Sequence, residues 1–215
     1  MKKQIISILL FILLAAGPCY GSSQGPNYTG TVTDTGVFWN QEDFAKADDG
    51  NACSGQLEMS GTSGYIFFSN FGFDIPESAT INGIQVTMER KDGTGVIKDG
   101  IVILAYPTWD ATKGSNQSDS ATWTVGSYST KTWGTTSSVW GYSAITASIV
   151  NSSTFGVTFQ CYNDSIATEP IAYIDYVRMT VTYTFTGWEG DVIGVSMPAK
   201  VMGVAQGNFT KIIGK

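Results

Sequence analysis

Val177-Arg178-Met179-Thr180-Val181-Thr182-Tyr183-Thr184-Phe185 alternates without a slip, with Val, Met, Val, Tyr and Phe on one parity and Arg and Thr on the other. Successive side chains of a strand point to opposite faces, so this period of two describes a strand with one buried face and one polar face. Ile84-Gln85-Val86-Thr87-Met88-Glu89 repeats the pattern. Working outward, further strands are expected near residues 32–39, 56–60, 64–71, 96–106, 122–129 and 154–162, and only residues 144–150 suit a helical turn or two. About eight short strands separated by Gly, Asn, Asp and Pro predict an all-β fold, a two-sheet antiparallel β-sandwich.

Composition narrows the chemistry. The chain contains no histidine in 215 residues. That excludes Ser-His-Asp and Cys-His nucleophile arrangements and any imidazole-ligated metal. Twelve Lys and Arg against 18 Asp and Glu give a net charge of −6, which argues against a nucleic-acid grip, since phosphate neutralisation needs clustered basic residues. Aromatic residues at 13% with charged residues at only 14% suit strands and an extracellular all-β domain.

Met1-Lys2-Lys3 precedes an apolar run from Ile5 to Ala16 and then small residues, the layout of a secretory signal. The run is short of the roughly 20 residues a membrane span needs. Residues 1–21 are expected to be removed after Gly21; a lipid anchor at Cys19 is the weaker alternative, because Pro18 replaces the small residue such a signal carries. Removal takes Lys2 and Lys3 and no acid, moving the net charge from −6 to −8. The remainder divides into a sandwich over 22–186 and a tail over 187–215. In the tail, Val192-Ile193-Gly194, Val201-Met202-Gly203 and Ile212-Ile213-Gly214 repeat an apolar pair before Gly. So short a repeat cannot make its own core. Either it packs on its own sandwich, or Val192, Ile193, Val201, Met202, Ile212 and Ile213 are offered to a second copy, as exposed sheet edges allow.

The segment Phe71-Gly72-Phe73-Asp74-Ile75-Pro76-Glu77-Ser78-Ala79-Thr80-Ile81-Asn82-Gly83-Ile84-Gln85-Val86 resembles a motif of phage-related and bacterial secreted proteins that are mostly uncharacterised. Trp39-Asn40, Trp133-Gly134, Trp140-Gly141, Phe155-Gly156-Val157 and Ala172-Tyr173-Ile174-Asp175-Tyr176-Val177 extend the likeness over about residues 28–185. The resemblance implies a jelly-roll-like sandwich with a structural or surface role and no assigned reaction. Without it, the residues still predict a turn from Pro76 into the next strand and a bulge or close strand approach at Gly83.

Four sets of side chains are candidates for chemistry. Cys53 and Cys161 both lie on apolar parities and could meet in a disulfide, or stand as two separate buried thiols. Asp43, Asp48, Asp49 and Asn51 offer hard oxygen ligands for calcium, although Asx-Gly clusters are more often turns. Trp123, Tyr128, Trp133 and Trp140 concentrate rings that could stack on sugars, against the alternative of core packing. Asp175 shares parity with Val177 and is expected to face inward. Asp74, Asp99, Asp164, Glu89 and Glu169 are scattered possible companions, and no pair of them can be nominated as a glycosidase site. The sequence therefore predicts a secreted, non-enzymatic structural protein that assembles through its tail into a homo-oligomer or filament; the alternative is a monomeric glycan-binding or adhesion module.

Overall fold

A computed structural model describes residues 19–36 and 38–186. Most of the expected signal, and all of the 187–215 tail with its six assembly candidates, lie outside the described residues. Residues 21–185 form one compact unit built of ten strands: β1 (Cys19–Tyr28), β2 (Thr31–Asp34), β3 (Cys53–Gln56), β4 (Ile66–Ser69), β5 (Thr80–Asp92), β6 (Ile97–Ala105), β7 (Thr112–Lys113), β8 (Ser129–Thr135), β9 (Gly156–Asn163) and β10 (Ile171–Thr186). They make two five-stranded sheets. The first runs β1-β10-β5-β8 with β3 also on β10, and the second runs β2-β4-β9-β6-β7. The expected two-sheet antiparallel sandwich is what the chain forms. No helix among the described residues is long and apolar enough to cross a membrane.

The period-two stretches behave as their pattern dictates. Ile84, Val86 and Met88 from β5 and Val177, Met179 and Val181 from β10 are buried, paired in register as Ile84 with Val181, Val86 with Met179 and Met88 with Val177. They face Phe68 of β4 and Phe159 of β9 across the same core cluster. Each such side chain taken fully from water stabilises the fold by about 1.5–3 kcal/mol. Ala79 donates to the Pro76 carbonyl at 2.8 Å, closing the expected turn into β5. At Gly83 the close approach is real, since a Cβ there would lie 2.2 Å from the Thr136 carbonyl carbon.

Three strand expectations are corrected. The strand expected near 56–60 lies earlier in the chain, as β3, and shares only Gln56 with that range. Residues 122–128 make single bridges only, at Thr122 and Val125, and the strand beside β5 is β8, which begins at Ser129. Gly134 lies inside β8 with a φ of +77°, and a Cβ there would come within 2.3 Å of the Trp140 indole nitrogen. Glycine is there because Trp140 crosses it. The strand expected over 32–39 stops at Asp34, whose carboxylate accepts the Gly36 and Trp39 amides at 3.1 and 2.9 Å and turns the chain. The short helix α1 (Ala147–Asn151) falls where expected, with Thr146 Oγ1 accepting the Ile149 amide at 3.2 Å.

Cys53 and Cys161 both face the core, and both are free thiols. The disulfide alternative is thus not the arrangement found; two buried thiols are. Burial pushes the Cys53 thiol well up and raises that of Cys161 to about 12. Thiolate is the reactive form, so both should be inert in the native protein. With an aromatic disulfide reagent at pH 8, Cys53 and Cys161 are expected to stay unlabelled until denaturant is added. A 53–161 cross-linked peptide in a non-reducing digest would contradict this.

Candidate functional site

The outer face of the β10-β5-β8 sheet is built by the register. Tyr173 pairs with Lys91, Tyr176 with Glu89, Arg178 with Thr87 and Thr180 with Gln85, and Thr87 and Thr132 exchange a hydroxyl hydrogen bond at 2.8 Å. The register shifts between Ile174 and Tyr176, which makes Asp175 the extra residue of a β-bulge opposite Glu89. The bulge overturns the expected inward direction of Asp175. The carboxylate leaves the core side and comes to lie beside Glu89 on the outer face.

A flap then covers it. The chain between β2 and β3 forms a 3-10 turn (Glu42–Ala45), bridges to Tyr176 at Lys46 and closes at Asn40 with Ser54. This brings Asp48 over the bulge. Carboxylate oxygens of Asp48, Glu89 and Asp175 lie within 4.8 Å of one another, although Asp175 is only 2% exposed. Desolvation by burial raises the pKa of both Glu89 and Asp175; at Glu89 the hydrogen bond to Asp175 and the Asp175 and Asp48 charges add to it, while at Asp175 the Asp48 charge adds and the hydrogen bond with Glu89 opposes. Arg178 opposes this at Glu89, and the amides of Asp49 and Gly50 oppose it at Asp175. Asp175 Oδ1 is the one buried side-chain oxygen or nitrogen among the described residues that has no hydrogen-bond partner.

Beside the acids stands an aromatic pair. Lys91 Nζ lies 4.4 Å from the ring centroid of Tyr128 and 4.5 Å from that of Tyr173, so one ammonium joins two half-buried rings. Arg178 lies over the Tyr176 ring at 5.1 Å, and Tyr28 meets Tyr176 edge-on at 5.6 Å. Burial first, and the Asp175 and Glu89 charges after it, raise the Tyr128 phenol. Flat apolar rings interleaved with ammonium, guanidinium, carboxylate and hydroxyl groups can stack on the C–H face of a ring and exchange hydrogen bonds with its edge. Within the pair, Asp175 is buried and Glu89 half-buried.

The sequence candidates divide on this geometry. Trp123, Trp133 and Trp140 are 2%, 4% and 0% exposed, and the expectation that they present rings to a ligand is corrected. Their nitrogens are spent inside the fold: Trp123 and Trp133 donate to Asp99, and Trp140 to the Ile84 carbonyl at 2.9 Å. Tyr128 alone of the four reaches the outer face. Of the calcium set, only Asp48 joins the acid cluster. Asp43 pairs with Lys46 at 2.6 Å, and Asp49 accepts the Asn51 amide at 2.9 Å as a turn. Glu89, Lys91 and Tyr173 were not singled out together. Their shared parity across β5 and β10 was the available signal, but it needed the register to connect them.

Fold and topology place the chain in the class of two-sheet antiparallel β-sandwiches. No family model matches it and no curated protein does. Among solved structures, it is similar to a carbohydrate-binding module described as "CBM4 structure and function" at 13% identity, covering 62% of this chain and 85% of that one with a TM-score of 0.37. It is similar to TmCBM61, solved in complex with β-1,4-galactotriose, at 12% identity, 76% and 88% coverage and a TM-score of 0.36. It is also similar to the CBM22-1 xylan-binding domain of Paenibacillus barcinonensis Xyn10C at 10% identity, 77% and 96% coverage and a TM-score of 0.38.

Proposed function

We propose that the protein is a secreted, non-catalytic glycan-binding module that holds polysaccharide on the outer face of the β10-β5-β8 sheet. The observation that carries this reading is the Tyr128–Lys91–Tyr173 group set beside Glu89 and Arg178. Sugar rings present an apolar C–H face and a rim of hydroxyls, and this surface offers aromatic faces with charged donors and acceptors at their edges. The assembly reading rests on tail residues outside the described part of the chain, and no described residue adds to it. β-1,4-Linked galactan and xylan are the first polysaccharides to try, since two of the similar modules are described with galactotriose and xylan.

Affinity electrophoresis through gels containing each polysaccharide tests the reading. Tyr128→Ala and Tyr173→Ala are each expected to weaken retention by about tenfold, the equivalent of roughly 1.4 kcal/mol, with melting temperature little changed because both rings are half-exposed. Retention that is equal in wild type and both variants, or absent on every polysaccharide tried, would end the proposal.

A further inference from the structure

We infer that Asp48, Glu89 and Asp175 form a calcium site that ties the flap between β2 and β3 to the bulge of β10. This ligand set differs from the run of acids within the flap that the sequence first suggests, and it does not depend on the glycan reading, although Glu89 borders both. Three carboxylates from three separate segments converge within 4.8 Å. Calcium binds oxygen at about 2.3–2.6 Å, so ligands across one ion are separated by at most about 4.6–5.2 Å. The three oxygens fall inside that span. The convergence alone would be an ordinary acidic cluster; what points to a ligand is Asp175. Its carboxylate is 2% exposed and its Oδ1 has no hydrogen-bond partner. Buried polar atoms are almost always satisfied, and Oδ1 is left bare although Glu89 and the amides of Asp49 and Gly50 partner the rest of the carboxylate. Sequence and fold nonetheless spend a bulge and a flap to place it there. A hard divalent cation supplies what Oδ1 lacks and neutralises the mutual repulsion of Glu89 and Asp175.

The donor set selects the ion. Only carboxylate oxygens converge, with no thiol or imidazole among them, which favours calcium over zinc or copper. Asp48 is exposed while Asp175 is buried, so water can complete the shell on one side. Three converging protein carboxylates suit calcium's flexible 6–8 oxygen coordination better than magnesium, which is usually held by only one or two carboxylates in a strict octahedron. Affinity in the class of extracellular modules, about 10⁻⁴–10⁻³ M, is expected.

The test uses the full protein after chelator treatment and dialysis. Melting is followed with calcium chloride up to about 10 mM, and with magnesium chloride at matched ionic strength. Calcium is expected to raise Tm by about 3–11 °C and magnesium by less. Terbium luminescence sensitised by the neighbouring tyrosines gives a direct binding signal that calcium should displace. Asp175→Asn and Glu89→Gln are both expected to abolish the calcium-dependent rise and to reduce terbium binding at least tenfold, whereas Asp43→Asn leaves both intact. Glu89 is half-exposed, so Glu89→Gln reads the site even where Asp175→Asn folds poorly. No calcium shift with no terbium signal, or a calcium response that survives Glu89→Gln and disappears in Asp43→Asn, would overturn the assignment.

Discussion

Asp99→Ala is expected to destabilise the sandwich by at least about 4 kcal/mol, lowering Tm by roughly 8–16 °C for a domain of this size. Asp99 lies on β6 in one sheet and its ion-pair partner Arg90 on β5 in the other, and they are 3% and 5% exposed. The carboxylate does more than balance the guanidinium. It accepts the Trp123 indole at 2.9 Å, the Trp133 indole at 3.2 Å and the Asp119 amide at 3.1 Å. Arg90 in turn sits over both indole rings, at 4.8 and 5.1 Å from their centroids. Removing the carboxylate strands a buried cation and orphans three donors at once, each orphan costing about 1–3 kcal/mol. Removing the cation is milder, because Asp99 keeps its three neutral donors. Arg90→Met should therefore cost only about 2–3 kcal/mol, including the lost ring contacts. The order matters more than either value. Denaturant melts in which Arg90→Met is as damaging as Asp99→Ala would show that the pair is held for charge balance and not as an anchor for the two indoles.

That network explains what the sequence could and could not disclose. The inner parities of β5, β9 and β10 were legible because a half-buried strand must alternate, and nothing distant is needed to see it. Asp99 and its indole partners are 24 and 34 positions apart, so no local pattern marks those rings as internal donors. Burial preference favours core packing for Trp123 and Trp133, as found, but residue type alone leaves sugar stacking open as the alternative. Asp175 failed for a different reason. Its parity with Val177 was read correctly from the residues, but a one-residue bulge between Ile174 and Tyr176 reverses direction without leaving a sign in hydropathy. The same bulge creates the candidate site, since it sets Asp175 opposite Glu89 and delivers the tyrosine face next to both.

The second large effect is expected at Asp92, the last residue of β5, where the chain leaves one sheet for the other. Asp92 is fully buried. Its Oδ1 accepts the Thr94 amide at 2.7 Å, and Oδ2 accepts the Val96 and Ile97 amides at 2.6 and 2.8 Å. One carboxylate thus satisfies three of the corner's backbone donors, and no water can replace it at Ile97, which is itself buried. Asp92→Ala should cost about 3–4 kcal/mol. Asp92→Asn should cost about half that, because the amide oxygen keeps one side of the corner while its NH2 opposes donors on the other. Asp34 makes the comparison fair. It accepts two amides in the same manner at 3.1 and 2.9 Å, but from a half-exposed position where water can substitute, so Asp34→Ala should cost only about 1 kcal/mol. The corner also reaches the proposed binding face. The Gly126 amide donates to the Asp92 carbonyl at 3.1 Å, and the Asp92 amide donates to the Thr124 carbonyl at 2.9 Å. These bonds hold the segment that carries Tyr128, and Lys91 is the residue immediately before. Hydrogen exchange should therefore accelerate at Val96 and Ile97 first and at Gly126 with them, and polysaccharide retention should fall alongside. Faster exchange confined to residues 94–97, with Gly126 as protected as in wild type, would separate the corner from the tyrosine face and leave Asp92 with a purely structural role.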